Sequence, residues 1–415
     1  MLTREENMLL TRTGPGTAMG AVVRHYWIPA LLSEELPEQD CAPLRVRLLG
    51  EDLVAFRDST GAVGLLDRYC AHRGASLFFG RNEESGLRCV YHAWKFDTTG
   101  ACVDMPNEPA ESSFKDRIRL KSYPCQERGG IIWAYMGSAQ PVPSLPDFEW
   151  AVVPEAQRCV SKRRQECNHL QALEGGVDLS HIAFLHRNLD PGRDARDQTL
   201  TRGDTRPTFE VVDTDYGLLI AARRNADADR FYWRISQWIM PWYTMFPPLV
   251  DTGIGGHAFV PIDDESCWVY NMTWDPSGPL GAVGDGIYGE LLPGTYRSRA
   301  NRDNDFLLDR AAQRTVSYTG IPGFAAQDGA VQESMGLIAD RGRERLGSTD
   351  VPVVALRRRL LHAVQMLRAN EELPGLEPAS QRVRPAALLL PRAIPFQDGA
   401  GALLRAQTDN YAMRV

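Results

Sequence analysis

This 415-residue chain carries no basic excess: 46 Lys and Arg stand against 53 Asp and Glu, a net charge of −7. Without a basic stripe there is nothing to neutralise phosphates, which argues against a nucleic-acid binder and, more weakly, against an anionic membrane surface. Long apolar runs are missing too. None approaches the ~20 residues that span a bilayer, and the start, Met1-Leu2-Thr3-Arg4-Glu5-Glu6, puts acidic residues where a secretion signal has a basic and then an apolar stretch. The expectation is a soluble cytoplasmic protein, with no nucleic-acid or membrane partner. Cysteine is sparse, at 41, 70, 89, 102, 125, 159, 167 and 267. Disulfide frameworks belong to small secreted chains, so these read as reduced thiols. The one Gly-x-Gly-x-x-Gly string, Gly284 to Gly289, neither follows directly on a strand-like run nor opens a helical one, so the usual site for a nicotinamide dinucleotide is not expected. It has no internal repeat and no low-complexity segment.

What is present is ordinary globular composition, 43% hydrophobic and 24% charged, and a length that suits two domains. The first part reads as short strands. Val46–Leu49 and Leu53–Phe56 flank a Gly50-Glu51 turn, followed by Val63–Asp67, Leu87–Phe96 and Ile131–Met136, as in a small all-β domain. The proline-rich run Gln140 to Pro146 marks an exit, giving domains 1–145, with an N-terminal arm, and 146–415. The second part mixes strand-like segments (Cys159–Glu166, Phe209–Ala222, Arg230–Met240, Cys267–Trp274) with helical periodicity at Asn168–Phe184, Asp303–Thr315 and Val353–Leu367. Strands and helices in blocks predict an α+β fold with an antiparallel sheet. The segment from Ser380 onward has no assignment.

Two constellations carry chemistry. Cys70-Ala71-His72 is followed by Cys89-Val90-Tyr91-His92. A Rieske-type [2Fe–2S] cluster needs two thiolates on one iron and two imidazoles on the other, and each Cys/His pair at a hairpin tip would give one ligand to each iron. A Cys₂His₂ zinc site accepts the same four residues. Zinc fingers, however, order a Cys pair before a His pair carried on a helix, whereas here the types alternate and the flanks read as strands. The second constellation is Glu174, Asp178, His181 and His186. Two His and one carboxylate form the facial triad of non-haem Fe(II) oxygenases, which leaves positions open for O₂ and substrate. Glu174, Asp178 and His181 fall on one face of a helix. His186, five residues past His181, lies about 140° further round, so the two share a metal only where the helix ends or bulges. Asp178 is placed to accept a hydrogen bond from a ligand histidine. Two histidines so spaced also occur without a metal, but a Rieske cluster stores a single electron and needs an acceptor.

Together, in this order, the two motifs resemble the oxygenase (alpha) subunit of Rieske non-haem iron oxygenases, and within that family the phthalate 4,5-dioxygenase-like group. The likeness runs from about Arg24 to Leu367 and is carried also by Ala75 to Gly80, Met105 to Glu108, Gln171 to His186, Gly320 to Gly323 and Gln327 to Glu333. Ala75 and Tyr91 stand where respiratory Rieske proteins carry two bridging cysteines; Ala71 and Ala93 stand where the oxygenase class usually has Pro and Gly, a change to loop packing more than to ligation. The resemblance implies a Rieske β domain joined to a helix-grip domain with a large antiparallel sheet. It carries the third iron ligand onto Asp328, in preference to Asp305 or Asp309 because of the glycines before it and Glu333 after it. It also makes Asp178 the bridge between one subunit's cluster and its neighbour's iron, in a homotrimer or dimer of trimers. His169 stands where relatives often have Trp, a position for a pocket or a structural residue.

The implied activity is oxidation of an aromatic carboxylate by O₂, as ring dihydroxylation or hydroxylation, with electrons from an NAD(P)H-dependent flavin/iron–sulfur reductase. O-demethylation of a lignin-type aromatic acid is the alternative, and a pure electron-transfer Rieske protein a further one that the length and second motif disfavour. A buried carboxylate calls for a forked cation; Arg206 and Arg234, on or beside strands of the second domain, are the candidates.

Overall fold

The computed structural model describes residues 2–189, 196–247, 253–281 and 289–406. The chain forms two compact units, Thr13–Leu145 and Pro146–Val415 together with Met1–Arg12. The division after Leu145 coincides with the proline-rich exit. The N-terminal arm departs from the expected 1–145 assignment. Its helix Arg4–Thr11 belongs to the larger unit, where Asn7 donates to Ala339 O and Asn168 donates to Thr11 O. These contacts join segments far apart in sequence, so local pattern gave no sign of them.

The strand pairs of the smaller unit are all antiparallel. β1 (Trp27–Leu32), β9 (Cys125–Arg128) and β10 (Ile131–Tyr135) form one sheet in the order β1-β10-β9. β2 (Leu44–Leu48), β3 (Glu51–Arg57) and β4 (Val63–Asp67) form a second. β5 (Arg81–Glu83), β6 (Gly86–Arg88), β7 (Lys95–Phe96) and β8 (Cys102–Asp104) form a third. Val54, Phe56 and Leu66 from the second sheet pack with Leu87, Phe96 and Trp94 from the third, at about 1.5–3 kcal/mol for each large side chain fully buried. Cys70 and Cys89 belong to this same core.

The larger unit is built on one eight-stranded antiparallel sheet. Its strands are β11 (Arg158–Gln165), β12 (Thr208–Asp213), β13 (Gly217–Asn225), β14 (Arg230–Ile239), β15 (Tyr243–Phe246), β16 (Ile254–Pro261), β17 (Cys267–Trp274) and β18 (Ala386–Pro391), in the order β11-β17-β16-β15-β14-β13-β12. β14 is long enough to take two partners on one edge: Arg230–Ile235 pairs with β18 and Gln237–Ile239 with β15. The unassigned segment after Ser380 thus supplies a sheet strand, while its residues 407–415 lie outside the described residues.

The helices His169–Val177, Phe324–Ser334 and Val351–Arg368 belong to this unit. The expected helix Asn168–Phe184 is shorter than its periodicity suggested: it stops at Val177, Asp178 turns extended, and a single 3₁₀ turn follows over His181–Ala183. Glu174 consequently does not share a face with Asp178 and His181. It accepts instead from Arg341 and Arg357 at 2.7–3.1 Å, tying this helix to Val351–Arg368. Among the described residues no helix is long and apolar enough to cross a membrane.

Candidate metal centres

In the smaller unit, each Cys/His pair lies on a loop closed by its own backbone. Cys70 N–H donates to Ala75 O and Gly74 N–H to Cys70 O; Cys89 N–H donates to Trp94 O and Ala93 N–H to Cys89 O, all at 2.8–2.9 Å. Gly74 and Ala93 take the equivalent position in the two loops, both at positive φ (74° and 62°). Only glycine adopts that region freely, so Ala93 carries local strain. The turns point four side chains together. The His72 and His92 rings lie 4.5 Å apart, and His72 stacks on Trp94 at 4.4 Å. Both thiols are buried; burial first, and Cys89 beside it, push the Cys70 thiol up to about 11. The Nδ1 atoms of His72 and His92 are buried with no hydrogen-bond partner. Two orphaned imidazole nitrogens beside two thiols suit a [2Fe–2S] cluster that takes two of each.

In the larger unit, a pair of glycines brings the second site together. A Cβ on Gly176 would stand 2.8 Å from the Phe259 ring and 3.1 Å from Thr244 Cγ2; one on Gly175 would meet Gln332 Nε2 at 2.1 Å. Their absence lets the helix His169–Val177 lie against the sheet on one side and against helix Phe324–Ser334 on the other. The chain break at Asp178 then turns His181 and His186 toward Asp328. His181 Nε2 and His186 Nε2 lie 3.7 and 3.5 Å from Asp328 Oδ1, and the three residues offer ligand atoms all within 4.8 Å of one another. The helix end answers the 140° problem of the five-residue spacing: the two imidazole rings sit 5.1 Å apart. Asp305 and Asp309 are exposed and outside this cluster, with Asp309 capping the helix Arg310–Thr315.

Hydrogen bonds orient both imidazoles. Gln327 Nε2 donates to Ile321 O at 2.9 Å, so its Oε1 faces His186 Nδ1 at 2.7 Å. An amide oxygen can only accept, which places the proton on Nδ1 and leaves the Nε2 lone pair directed at the cluster. Asp178 Oδ2 lies 3.5 Å from His181 Nδ1 and acts in the same sense; its Oδ1 accepts from Ser180 N–H and Oγ–H at 2.7 Å. Burial raises the Asp328 carboxyl, but His186, then His181 and Arg163, outweigh it and hold the group down at about 2. Burial lowers His181, and Asp178 and Asp328 more than reverse this. The donor set is therefore an ionised carboxylate and two imidazoles with Nε2 exposed to one point, which suits ferrous iron with positions to spare.

These residues line a cavity of about 150 Å³, floored by one face of the sheet (Arg163 of β11, Arg234 of β14, Phe246 of β15, His257 and Phe259 of β16, Asn271 and Thr273 of β17). Of the expected substrate residues, Arg234 lines the cavity and Arg206 does not: it is exposed on the loop before β12, its N–H bonded to Asp204. A cation on a loop between polar neighbours is more readily solvated than buried. His169 is buried but outside the cavity lining. Arg163 and His257 were missed by sequence reasoning. Both lie on strands, and because side chains alternate along a strand, three successive cations at 162–164 must send at least one to each face, which is the signal that was available for Arg163.

A pair of Cys/His loops in a β unit, and a two-histidine, one-carboxylate cluster opening on a cavity in another, define an oxygen-activating metalloenzyme with separate electron-storing and reacting centres. The comparisons fix the family. Residues 26–124 match the Rieske [2Fe-2S] domain family and residues 134–390 match the family described as LigXa C-terminal domain like. The chain is 39% identical to the 3-chlorobenzoate-3,4-dioxygenase oxygenase subunit of Comamonas testosteroni, over 96% of this chain and 97% of that protein. It is also 39% identical to the phthalate 4,5-dioxygenase oxygenase subunit of Pseudomonas putida, over 90% and 89%. Dicamba monooxygenase shares the fold, with a TM-score of 0.60 at 22% identity over 84% of this chain and 99% of that one. The protein belongs to the Rieske non-haem iron oxygenases, as an oxygenase subunit of the phthalate-dioxygenase-like group.

Proposed function

We propose that this oxygenase subunit hydroxylates a single-ring aromatic carboxylate, with Cys70, His72, Cys89 and His92 holding the cluster and His181, His186 and Asp328 holding iron. The observation that carries the reading is the cavity: it places the His181/His186/Asp328 cluster and buried arginines around one space of about 150 Å³, a volume that accommodates a benzene ring. The two relatives at 39% identity are named for 3-chlorobenzoate and phthalate, both aromatic acids.

When bound, the iron supplies O₂ activation and the cluster supplies single electrons. The chain's own residues prepare the site. Gln327 and Asp178 keep protons on the far nitrogens of His186 and His181, so that both Nε2 atoms remain available. Asp328, held well below the ordinary carboxylate range by the two histidines, stays ionised at neutral pH. Phe246, Phe259 and Phe324 supply apolar walls that exclude water from the ring and orient it edge or face toward the histidines. Asp178 keeps a quarter of its side chain exposed, which leaves it open to a second partner. A histidine from the cluster of a neighbouring copy is that partner in a homotrimeric assembly. Electrons come from a separate NAD(P)H-dependent reductase.

The test is to supply a phthalate-dioxygenase-type reductase and NADH, screen aromatic acids by oxygen uptake, and identify products by mass. Addition of two oxygens and two hydrogens marks dihydroxylation. Addition of one oxygen marks hydroxylation, and loss of CH₂ marks O-demethylation. Iron content should be three per chain; a content of two, with no turnover of any acid, would refute the reading in favour of an electron-transfer protein.

A further inference from the structure

The cavity contains a cation whose partners do not balance its charge. Arg163 is 93% buried by its 7% exposure and lines the cavity. Among the described residues its one hydrogen bond is from Nη1 to Gln165 Oε1 at 3.0 Å, a neutral acceptor on its own strand, and its buried Nε has no partner there. No carboxylate of a described residue lies within ion-pair distance, 4.0 Å, of its nitrogens. Arg341 and Arg357, equally buried in this unit, both reach Glu174. Arg234, the other arginine of the cavity, donates to Pro247 O and to the Tyr232 hydroxyl, which holds it in the wall.

Register places Arg163 beside a second donor. Arg163 of β11 pairs with Val269 of β17, and Asn271, two residues on, pairs with His257 of β16. With side chains alternating, Arg163, Asn271 and His257 stand on one face of three adjacent strands. The described contacts of the His257 ring are with Phe246 and Phe259, at 4.8 and 5.6 Å between centroids, and no hydrogen bond ties up its nitrogens. Removing a guanidinium from water costs several kcal/mol unless an anion meets it, and a planar fork matches a carboxylate with two parallel hydrogen bonds. Asp328, which faces the same cavity, is committed to the two iron-site histidines. Among the described residues no carboxylate is left to meet Arg163, and a bound anion would fill that place.

We infer that Arg163, with His257 as a second donor, grips the carboxylate of the substrate and sets the preference for aromatic acids over their neutral counterparts. This rests on the proposed aromatic-acid activity and names the residue that reads the acid. The ring then extends from the β11–β16 side of the cavity toward His181 and His186, and the carboxylate is held away from the reacting carbons. Arg163 acts as a specificity-determining residue and supplies no ligand atom to the metal site.

The experiment is equilibrium binding to the anaerobic holoenzyme, using 3-chlorobenzoate and phthalate against their methyl esters. Loss of a buried charged hydrogen bond costs about 1.5–3 kcal/mol, about 10- to 150-fold in affinity at 1.36 kcal/mol per decade. Arg163→Met should lose that much affinity for the acids and change by less than about twofold for the esters. Arg163→Lys, which keeps the charge without the fork and guards against misfolding of the first variant, should fall between. His257→Phe should lose about 2- to 12-fold for the acids only, the range for a neutral hydrogen bond. Iron content and cluster absorbance should be unchanged in all three. Undiminished acid binding by Arg163→Met, with a loss in Arg234→Met instead, would overturn the assignment while leaving the aromatic-acid activity standing. A wild-type protein that binds the esters and neither acid would overturn that activity, and the assignment with it.

Discussion

Replacing Gln327 tests how the iron-site histidines are aimed. Its amide is held by Ile321 O on one side and accepts from His186 Nδ1 on the other. Gln327→Leu keeps approximate size, removes the acceptor and leaves a donor on a histidine that is 7% exposed. Water cannot readily replace the lost partner there, so the cost includes an unsatisfied buried donor, about 1–3 kcal/mol. The ring can avoid that cost by moving its proton to Nε2, but it then has no lone pair for the metal. Outer partners of ligand histidines are typically worth 10- to 100-fold in metal affinity, about 1.4–2.7 kcal/mol at 1.36 kcal/mol per decade, and the burial of His186 argues for the upper end. Gln327→Glu presents a stronger acceptor and should retain affinity within a few-fold. The assay is anaerobic equilibrium dialysis against ferrous iron, with [2Fe–2S] absorbance as the internal measure of intact protein. If Gln327→Leu binds iron within twofold of wild type, the orientation of His186 is set by packing against Phe324 and the reasoning about the amide is wrong.

Glu174→Gln should destabilise the larger unit by about 3–5 kcal/mol, because Arg341 is fully buried and loses its only carboxylate among the described residues; thermal unfolding followed by the fluorescence of Trp150, Trp233, Trp238, Trp242, Trp268 and Trp274 reports it. Although burial raises the Glu174 carboxyl, Arg341 and Arg357 pull it below the ordinary carboxylate value. The contribution is therefore complete above the unfolded pKa and is lost as pH falls through the lower folded value, so the gap between wild type and Glu174→Gln should narrow below pH about 4.3. Ala93→Gly should stabilise the smaller unit by about 1 kcal/mol, since it relieves a left-handed alanine; the cluster's loss rate on heating, followed by its absorbance, should slow, and a faster loss would show that the Cβ packs usefully. Gly176→Ala should cost about 1–3 kcal/mol by overpacking against Phe259 and Thr244 and lower iron content without bleaching the cluster; full iron occupancy would mean the helix can shift without moving Asp178 and His181.

Local chemistry was readable from the sequence and tertiary chemistry was not. Cys70, His72, Cys89 and His92 stand in two short loops whose spacing is itself the signal, and the cluster of His181, His186 and Asp328 followed from motif and resemblance together. The helix ending at Val177 was overextended because apolar residues continue past it at helical spacing; the break is imposed by packing between sheet and neighbouring helix, which the glycine pair permits. β16 escaped notice because Gly255 and Gly256 interrupt its alternation, yet a Cβ at Gly255 would run into the Phe246 ring at 2.4 Å. β18 was unassigned because its partner, β14, lies far away in sequence. The cationic run at 162–164 was not singled out: Lys162 is buried over the rings of Trp268 and Tyr296 at 4.5 and 4.4 Å, Arg163 enters the cavity, and Arg164 is exposed.

The larger unit is assembled from both ends of the chain, with the smaller one spliced between them, and this orders events during synthesis. The arm helix Arg4–Thr11 emerges long before its partners Asn168 and Arg341. The strand beside Arg234, β18, is made after the other strands of its sheet. Domains fold as units during synthesis, while pairings across long sequence separations form slowly. The smaller unit can thus reach its folded state on the ribosome, with its Cys/His loops already closed, while β14, which carries Arg234, still lacks one of its partner strands. Electron-storing capacity matures before the pocket does, and a chain truncated ahead of Ala386 would carry a formed cluster domain beside a reacting centre with an open edge.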